Sequence, residues 1–338
     1  MSKTKDIVNK AFKISIDYME SNSSTNTYNK WKKMINNIIE KLIHMKLVSS
    51  KTIKNIDEER NMINSIHSLS VLYKLMVDEK YDEFDKIFEL LDDDESRKSW
   101  ERYIMAQLLV HFVGYKNTEK ILGLQEKKDC PHLSFYKKLP YYSPTTFYHT
   151  FCKKQYHPDF LIIDEDSYIF DVGAYIGDTA IYYAQFIKNG KIYAFEPTSQ
   201  NFYKLQRNIE FLHLEDKITA IQKGIGDKPS ETYIQFKNSS SRVGSYGEKI
   251  VITTIDQFIQ ENNISFNHGI IKVDVEGYEF NVLKGSINTI QKFHPIVATA
   301  IYHFDNDPFQ IISFLKKNDY KIYLRGYDVI YEYVVFAV

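Results

Sequence analysis

The stretch Tyr168-Ile-Phe-Asp171-Val-Gly173-Ala-Tyr-Ile-Gly177-Asp178 decides the fold of this chain. Its first half has the pattern of a buried strand that ends in a carboxylate. The glycines at 173 and 177 then allow a sharp turn into a helix that begins near Asp178, and they let the backbone approach a ligand closely. The start of that helix presents amide groups. The stretch therefore predicts a ligand site at the carboxyl end of a sheet strand.

Short apolar segments alternate with helical ones after this stretch, which is typical of a parallel sheet with crossover helices. The predicted strands are Tyr168–Val172, Lys191–Phe195, Ile218–Gln222, Ile270–Val273 and Ile296–Ile301. The final segments, Tyr320–Leu324 and Tyr331–Ala337, predict a hairpin that adds an antiparallel strand. Thr232–Phe236 and Lys249–Thr253, separated by the polar run 238–242, break the alternation and predict a β insertion or an extension over the site.

Three parts are predicted along the chain: 1–125, 126–159 and 160–338. The first part is a helical domain, because residues such as Phe84, Ile87, Phe88 and Leu91 recur at i, i+3, i+4 and i+7. The second is a connector rich in proline and aromatic residues, which break helices and favour packing over flexibility. The third contains the sheet.

Composition narrows the function classes. The 43 Lys and Arg residues balance 44 Asp and Glu residues among 338, so the net charge does not favour a nucleic acid partner. No run of about 18 apolar residues predicts a membrane span. Cys130 and Cys152 are the only cysteines, which excludes a disulfide framework and zinc spacing. With no apolar signal segment after Met1, we expect a cytoplasmic protein.

The choice of ligand depends on Asp171 and Glu196. A dinucleotide fingerprint needs Gly-x-Gly-x-x-Gly, whereas this chain has Gly173-Ala-Tyr-Ile-Gly177 with the acid Asp171 before the first glycine. Asp171 can accept hydrogen bonds from a methionyl ammonium, and Glu196, at the end of the second strand, can accept both ribose hydroxyls. Taken singly, the glycines also fit turn packing and the acids also fit helix caps. Together they favour a sulfonium cofactor over a nicotinamide.

Two further clusters follow later strands. Lys272-Val-Asp274-Val-Glu276-Gly277 places carboxylates where open α/β sheets bind ligands, provided that the strand ends between the two acids. Glu276 and Glu279 also fit the positive end of the next helix. His303 ends the following strand, and an imidazole there can remove a proton from an acceptor hydroxyl. A divalent metal held by Asp274, Glu276 and His303 is conceivable but not favoured, so no metal ligand is assigned.

The chain resembles the FkbM-type methyltransferase family from about Gln155 to its end. The motifs are Asp171–Thr179, Ala194-Phe-Glu-Pro197, Lys272–Gly277 with Leu283-Lys-Gly285, and Tyr302-His303. The resemblance implies a Rossmann-like seven-stranded methyltransferase sheet, its last strand antiparallel, and S-adenosyl-L-methionine as methyl donor. The implied cofactor contacts are Asp171, Gly173, Ala174, Tyr175, Gly177, Glu196, Pro197, Asp274 and, more weakly, Tyr156. Tyr175 replaces the middle glycine of the general methyltransferase motif.

The expected activity is O-methylation of a hydroxyl on a carbohydrate or another small-molecule or glycan acceptor. In this hypothesis the acceptor oxygen attacks the methyl group in line, and His303 or Asp274 removes the proton, while positioning supplies most of the rate. One alternative is an inactive cofactor-binding scaffold whose helical half binds a partner. The other is a nicotinamide-dependent oxidoreductase, against which the missing third glycine argues.

Overall fold

The computed structural model describes residues 2–22, 71, 74–75, 80–124, 130–131, 133–237, 240–244 and 246–338. The chain divides into two compact units. Unit 1 comprises residues 1–126 and 328–331, and unit 2 comprises residues 127–327 and 332–338. The proline-rich connector is thus counted almost entirely with unit 2.

Unit 1 is helical in its described part. Its helices are α1 (Lys3–Asn22), α2 (Tyr81–Leu90), α3 (Asp94–Val113) and α4 (Tyr115–Ile121). The predicted apolar face of α2 is confirmed, because Phe84, Ile87 and Phe88 are buried. Trp100 of α3 stacks on the rings of Phe84 and Tyr103, with centroids 5.8 and 4.9 Å away. Asp93 caps α3 by accepting from the Ser96 N–H at 2.7 Å.

The short segment Asp328–Tyr331 completes this unit. Val329 and Ile330 are buried in a cluster with Ala106. The Tyr115 hydroxyl donates to Asp328 at 2.5 Å. Unit 1 therefore takes residues from near both ends of the sequence.

Unit 2 is built on a seven-stranded sheet. Its strands are β1 (Tyr168–Val172), β2 (Lys191–Phe195), β3 (Ile218–Ile221), β8 (Gly269–Val273), β9 (Ile296–Ala300), β10 (Ile322–Gly326) and β11 (Tyr333–Ala337). Their order is β10-β11-β9-β8-β1-β2-β3, and β11 runs antiparallel to both neighbours while the other pairs are parallel. The predicted sheet with an antiparallel last strand is confirmed.

A second sheet of four strands forms the predicted β insertion. Its strands are β4 (Gly224–Ile225), β5 (Ser230–Lys237), β6 (Ser240–Gly244) and β7 (Glu248–Thr253), in the order β4-β7-β5-β6. The interpretation of residues 238–242 as a polar separator was wrong in part, because Ser240–Gly244 pairs antiparallel with β5. A polar edge strand satisfies its backbone on one side, so it needs no apolar pattern.

The helices of unit 2 cover the parallel strands. They are α5 (Leu133–Tyr136), α6 (Pro144–Phe147), a π-helical turn (Tyr148–Cys152), α7 (Asp178–Tyr183), α8 (Ser199–Phe211), α9 (Ile255–Glu261), α10 (Glu279–Lys284), α11 (Ile287–Phe293) and α12 (Asp307–Lys317). Strands β8 and β11 are buried along their whole length, as expected for interior strands of a covered sheet. Among the described helices, none combines the length and apolarity that a bilayer crossing requires.

Cys130 and Cys152 form a disulfide, with their Cα atoms 5.8 Å apart. The bond ties the start of the connector to the end of the π-helical turn. Sequence reasoning expected no disulfide framework and did not foresee this single bond. Because stable disulfides are typical of oxidising compartments, it tells against the expectation of a cytoplasmic location, which stays a prediction.

Candidate active site

The glycine turn after β1 is fastened to two neighbouring strands. Gly173 has a φ of 80°, and a Cβ there would lie 1.9 Å from the backbone oxygen of Asp274. The amides of Gly173 and Ala174 both donate to the Phe195 carbonyl, at 3.1 and 3.0 Å. These two amides are therefore already bonded within the protein, and the predicted contacts of Gly173 and Ala174 with a cofactor stay predictions. Gly173 is required because the turn packs directly against the segment that follows β8.

Glu196 lies at the end of β2 and binds the same turn. Its Oε2 accepts from the Tyr175 N–H at 3.1 Å, and its Oε1 accepts from the N–H and hydroxyl of Thr198 at 3.0 and 2.6 Å. Burial raises the pKa of this carboxyl, while the bonds from Thr198 and Tyr175 lower it. A carboxylate has about four acceptor positions, so Glu196 keeps capacity for a ligand. Pro197 follows it directly.

The remaining part of the turn leads into α7. Tyr175 has a positive φ of 51°, and Gly177 has a φ of 92° immediately before the helix. A Cβ at Gly177 would lie 2.7 Å from the Leu205 side chain of α8. The second glycine thus lets α7 begin close against α8.

Asp171 is not presented to the cleft. Its carboxylate is fully buried and lies 2.9 Å from the Lys272 ammonium. Lys272 also donates to the Gly173 carbonyl at 2.9 Å. Burial lowers the pKa of Lys272, but the charges of Asp171 and Asp274 outweigh burial and raise it, so Lys272 keeps its positive charge. Asp171 was expected to bind the ammonium of a cofactor, but in the structure it binds the ammonium of Lys272.

Asp274 follows the last residue of β8 and is partly exposed. The Tyr156 hydroxyl donates to its Oδ2 at 2.8 Å, and the Tyr302 hydroxyl lies 3.5 Å from the same oxygen. Burial and the charge of Asp274 raise the pKa of both tyrosines well above its usual value, so both hydroxyls stay protonated. Tyr156, expected from sequence at the cofactor, is thus held on Asp274, and its contact with a cofactor stays a prediction.

His303 follows β9 and lies among carboxylates. Its Nδ1 is 2.8 Å from Oε1 of the fully buried Glu279. Its Nε2 lies 3.7 Å from Asp274 Oδ1 and 3.8 Å from Glu276 Oε2. Strand β8 ends at Val273, before both acids rather than between them, and both acids of the Asp274-Val-Glu276 motif still lie within 4 Å of the same imidazole.

The electrostatics of this imidazole follow from its neighbours. Burial lowers the pKa of His303, but Glu279, Asp274 and Glu276 together raise it to about 10. At neutral pH the ring therefore carries a positive charge. Nearby, burial and the charge of Glu279 raise the pKa of Asp307 to about 7.

Sequence reasoning missed Glu279 as a site residue. It expected this acid to favour the start of a helix, and Glu279 is the first residue of α10, where its Oε1 accepts from the Val275 amide at 2.9 Å. The pairing with His303 carries no local sequence signal, because the two residues are 24 positions apart. Just before Glu279, Glu276 has a positive φ of 56° and Gly277 one of 104°. Such strained turns concentrate at functional sites.

The glycine turn follows the carboxyl end of β1, and Glu196, Asp274 and His303 follow the carboxyl ends of β2, β8 and β9, where open α/β sheets bind ligands. A sheet of this strand order, with a glycine turn and an acid after its first two strands, defines a Rossmann-like methyltransferase fold. Residues 171–322 match the family described as the methyltransferase FkbM domain. Over these residues the chain is similar to the FkbM methyltransferase family, and the resemblance that the motifs indicated is confirmed.

Known relatives and structures agree with this assignment. The hexuronic acid methyltransferase AglP of Haloferax volcanii is 26% identical over 158 residues, which cover 46% of this chain and 63% of that protein. Methyltransferase 1 of Beauveria bassiana is 26% identical over 147 residues, covering 36% of this chain and 59% of that protein. The structure of methyltransferase FkbM from Methylobacillus flagellatus matches with a TM-score of 0.55 at 17% identity, covering 80% of this chain and 62% of the other. The chain thus spans less than two thirds of the length of each.

Proposed function

We propose that this chain transfers a methyl group from S-adenosyl-L-methionine to a hydroxyl oxygen of a carbohydrate or another small-molecule or glycan acceptor. The observation that carries the proposal is the set of side chains at the carboxyl edge of the sheet. Glu196 and the glycine turn lie on the proposed cofactor side. Asp274 follows β8, and His303 follows β9.

The chain's own residues fit this cofactor. Glu196 is held in place by Tyr175 and Thr198 and can still accept the two ribose hydroxyls. The partly exposed carboxylate of Asp274, rather than the buried Asp171, is available to the cofactor's cationic methionyl end. When bound, S-adenosylmethionine supplies a methyl group already activated by its sulfonium sulfur.

The protein then has to hold the acceptor and receive one proton. Asp274 is oriented by the Tyr156 hydroxyl, and its other oxygen faces the cleft side of His303. Of the two residues that sequence reasoning offered as base, we assign the proton to Asp274 and a positioning and charge-stabilising role to His303. Methyl transfer from a bound cofactor would leave the acceptor oxygen with one proton to lose, and Asp274 would receive it. Positioning of this kind accounts for about 7 to 11 kcal/mol in favourable cases.

The acceptor class is supported by the name of one relative and limited by charge. AglP is named for hexuronic acid, a carbohydrate. Here Asp274, Glu276 and Glu279 surround a single imidazole. A like-charged carboxylate of an acceptor would be repelled at this point, so a sugar hydroxyl that is distant from any acidic group fits best.

Calorimetry on the full chain tests the cofactor assignment. We expect S-adenosylmethionine to bind and NAD not to bind. Glu196→Gln should weaken binding about tenfold or more, because one charge-assisted acceptor of the ribose is lost. Glu210→Gln, an exposed acid of α8, is the matched control and should bind as the wild type does.

Turnover tests the activity. Release of S-adenosylhomocysteine in the presence of sugar acceptors is the expected result, and Asp274→Asn should reduce it 100-fold or more because the proton acceptor is lost. Binding of S-adenosylmethionine with no turnover on any acceptor would favour the scaffold, and binding of NAD alone would favour the oxidoreductase.

A further inference from the structure

Glu279 is an ionised side chain on the Nδ1 side of the His303 imidazole. It is fully buried at the start of α10. Its Oε1 lies 2.8 Å from His303 Nδ1, and it accepts from the amides of Val275 and Gly277 at 2.9 and 3.3 Å. One oxygen thus holds both the imidazole and the turn that follows β8.

The charge of Glu279 exceeds what these hydrogen bonds require. Its Oε2 is buried and has no hydrogen-bond partner among the residues that the structure describes. A neutral glutamine could accept the same bonds without the cost of burying an ionised group. Burial raises the pKa of Glu279, but the charge and hydrogen bond of His303 outweigh burial and lower it. The carboxylate is therefore matched to a cationic imidazole.

Other ionisable groups face the same ring from several elements. Asp274 and Glu276, which follow β8, lie 3.7 and 3.8 Å from Nε2. The ring of Tyr302 lies 4.3 Å from the imidazole between centroids, and its hydroxyl stays protonated. Asp307, at the start of α12, interacts with the imidazole by charge. Among these acids, only Glu279 lies within hydrogen-bonding distance of a ring nitrogen.

Nε2 of His303 and Oδ1 of Asp274 are spaced for one shared oxygen atom. Their separation of 3.7 Å is too long for a hydrogen bond between them. An oxygen about 2.8 Å from each atom would complete a triangle with ordinary hydrogen-bond distances. A hydroxyl has one proton to donate and two lone pairs that accept. It can therefore donate to Asp274, accept from Nε2–H, and keep its second lone pair for the methyl group.

We propose that Glu279 is a positioning residue, which holds His303 so that its Nε2–H orients the acceptor hydroxyl beside Asp274. This inference rests on the proposed function and names the contacts that would orient the acceptor. Glu279 acts through the ring and does not touch the acceptor, because it is fully buried. The two groups that contact the hydroxyl have separate tasks: Asp274 receives its proton, and the cationic N–H of His303 keeps its oxygen in place.

NMR of the full chain with ¹³C-labelled histidine tests the charge of the ring without any acceptor. Among the signals of the 10 histidines, that of His303 is the one absent from His303→Gln. In the wild type this ring should stay protonated up to about pH 9. In Glu279→Gln its titration midpoint should fall by about one pH unit or more, because a neighbouring negative charge is lost. Glu210→Gln, which removes an exposed acid of α8, should leave the midpoint unchanged.

Turnover of methyl glucoside, a neutral sugar, tests the positioning role. Glu279→Gln should reduce kcat about tenfold or more at pH 9 and less at pH 7, because its ring loses the proton of Nε2 at a lower pH. In the His303→Gln background, the same substitution should cause no further loss, since Glu279 acts through the ring. Calorimetry should show that S-adenosylmethionine binds Glu279→Gln as it binds the wild type.

Separate outcomes distinguish this inference from the proposed function. A His303 midpoint that is the same in the wild type and in Glu279→Gln overturns the positioning role. So does a loss of turnover that is independent of pH or adds fully to that of His303→Gln. If Glu279→Gln does not fold by circular dichroism, the wild type decides: a midpoint above about pH 8 supports the inference, and one below it overturns the inference. Failure of S-adenosylmethionine to bind the wild type removes the proposed function, while the NMR titration still shows whether Glu279 controls the ring.

Discussion

Lys272 and Asp171 form a buried ion pair below the glycine turn. Both side chains are almost wholly buried, and their contact joins β8 to β1 directly beneath the glycine turn. A buried charge pair contributes little net stability compared with an apolar pair, but either partner alone is costly. The pair therefore holds the glycine turn in position more than it stabilises the fold.

Removing one partner of this pair should lower the free energy of unfolding more than removing both partners does. Lys272→Met should lower the free energy of unfolding by about 3–5 kcal/mol, because the Asp171 charge stays buried without a partner. Lys272→Met combined with Asp171→Asn should recover part of that loss. Urea denaturation of the wild type, both single variants and the double variant measures the coupling. Strictly additive losses would show that the two charges act independently.

Asp178, at the start of α7, should make the stability of the protein depend on pH. Burial raises its pKa to about 6, although the bond from Thr150 at 2.6 Å lowers it. The unfolded value is about 3.9, so between about pH 4 and pH 6 the folded chain keeps a proton that the unfolded chain releases. Stability is therefore lost as the pH rises through this window, by at most about 3 kcal/mol.

Asp178→Asn should remove this dependence and can still accept the bond from Thr150. Relative to the wild type, the variant should gain stability between pH 4 and pH 7, as measured by urea denaturation at both values. Asp216→Asn is the control, since that side chain is exposed. A difference between variant and wild type that is the same at both pH values would contradict the assignment.

At the scale of elements, the parallel strands were predictable because each is an apolar run that ends at a turn or an acid. Strand β6 was not, because Ser240–Gly244 pairs through its backbone and lacks an apolar pattern. The cluster around His303 was found in part. Asp274 and Glu276 follow a recognisable strand, whereas Glu279 reaches the imidazole only through the adjacency of β8 and β9. Two cysteines 22 positions apart carry no signal of bonding.

The disulfide should stabilise the segment that precedes Tyr156. Closing a loop of 22 residues is worth about 3 kcal/mol in the chain-entropy model. Reduction should then lower the melting temperature by roughly 6 to 12 °C, measured by calorimetry with and without dithiothreitol. The Cys130→Ser/Cys152→Ser variant should melt at the reduced value and ignore the reductant. An unchanged melting temperature on complete reduction would show that packing alone holds the segment.

At the scale of the whole molecule, the two units are not consecutive along the chain. Unit 1 takes Asp328–Tyr331 from the connection between β10 and β11, and Val329 and Ile330 complete an apolar cluster with Ala106. A boundary drawn once along the sequence, near residue 126, is therefore incomplete. Near the end of the sequence, residues 328–331 belong to unit 1 and residues 332–338 belong to unit 2.

The place of β11 has a consequence for biosynthesis. It comes after every other strand in the sequence, yet it lies inside the sheet between β9 and β10. Until residues 333–337 leave the ribosome, a nascent chain holds β9 as an unpaired edge and cannot attach β10. Exposed edges of this kind promote aggregation, so the emerging polypeptide is open to association at this edge until β11 has been synthesised.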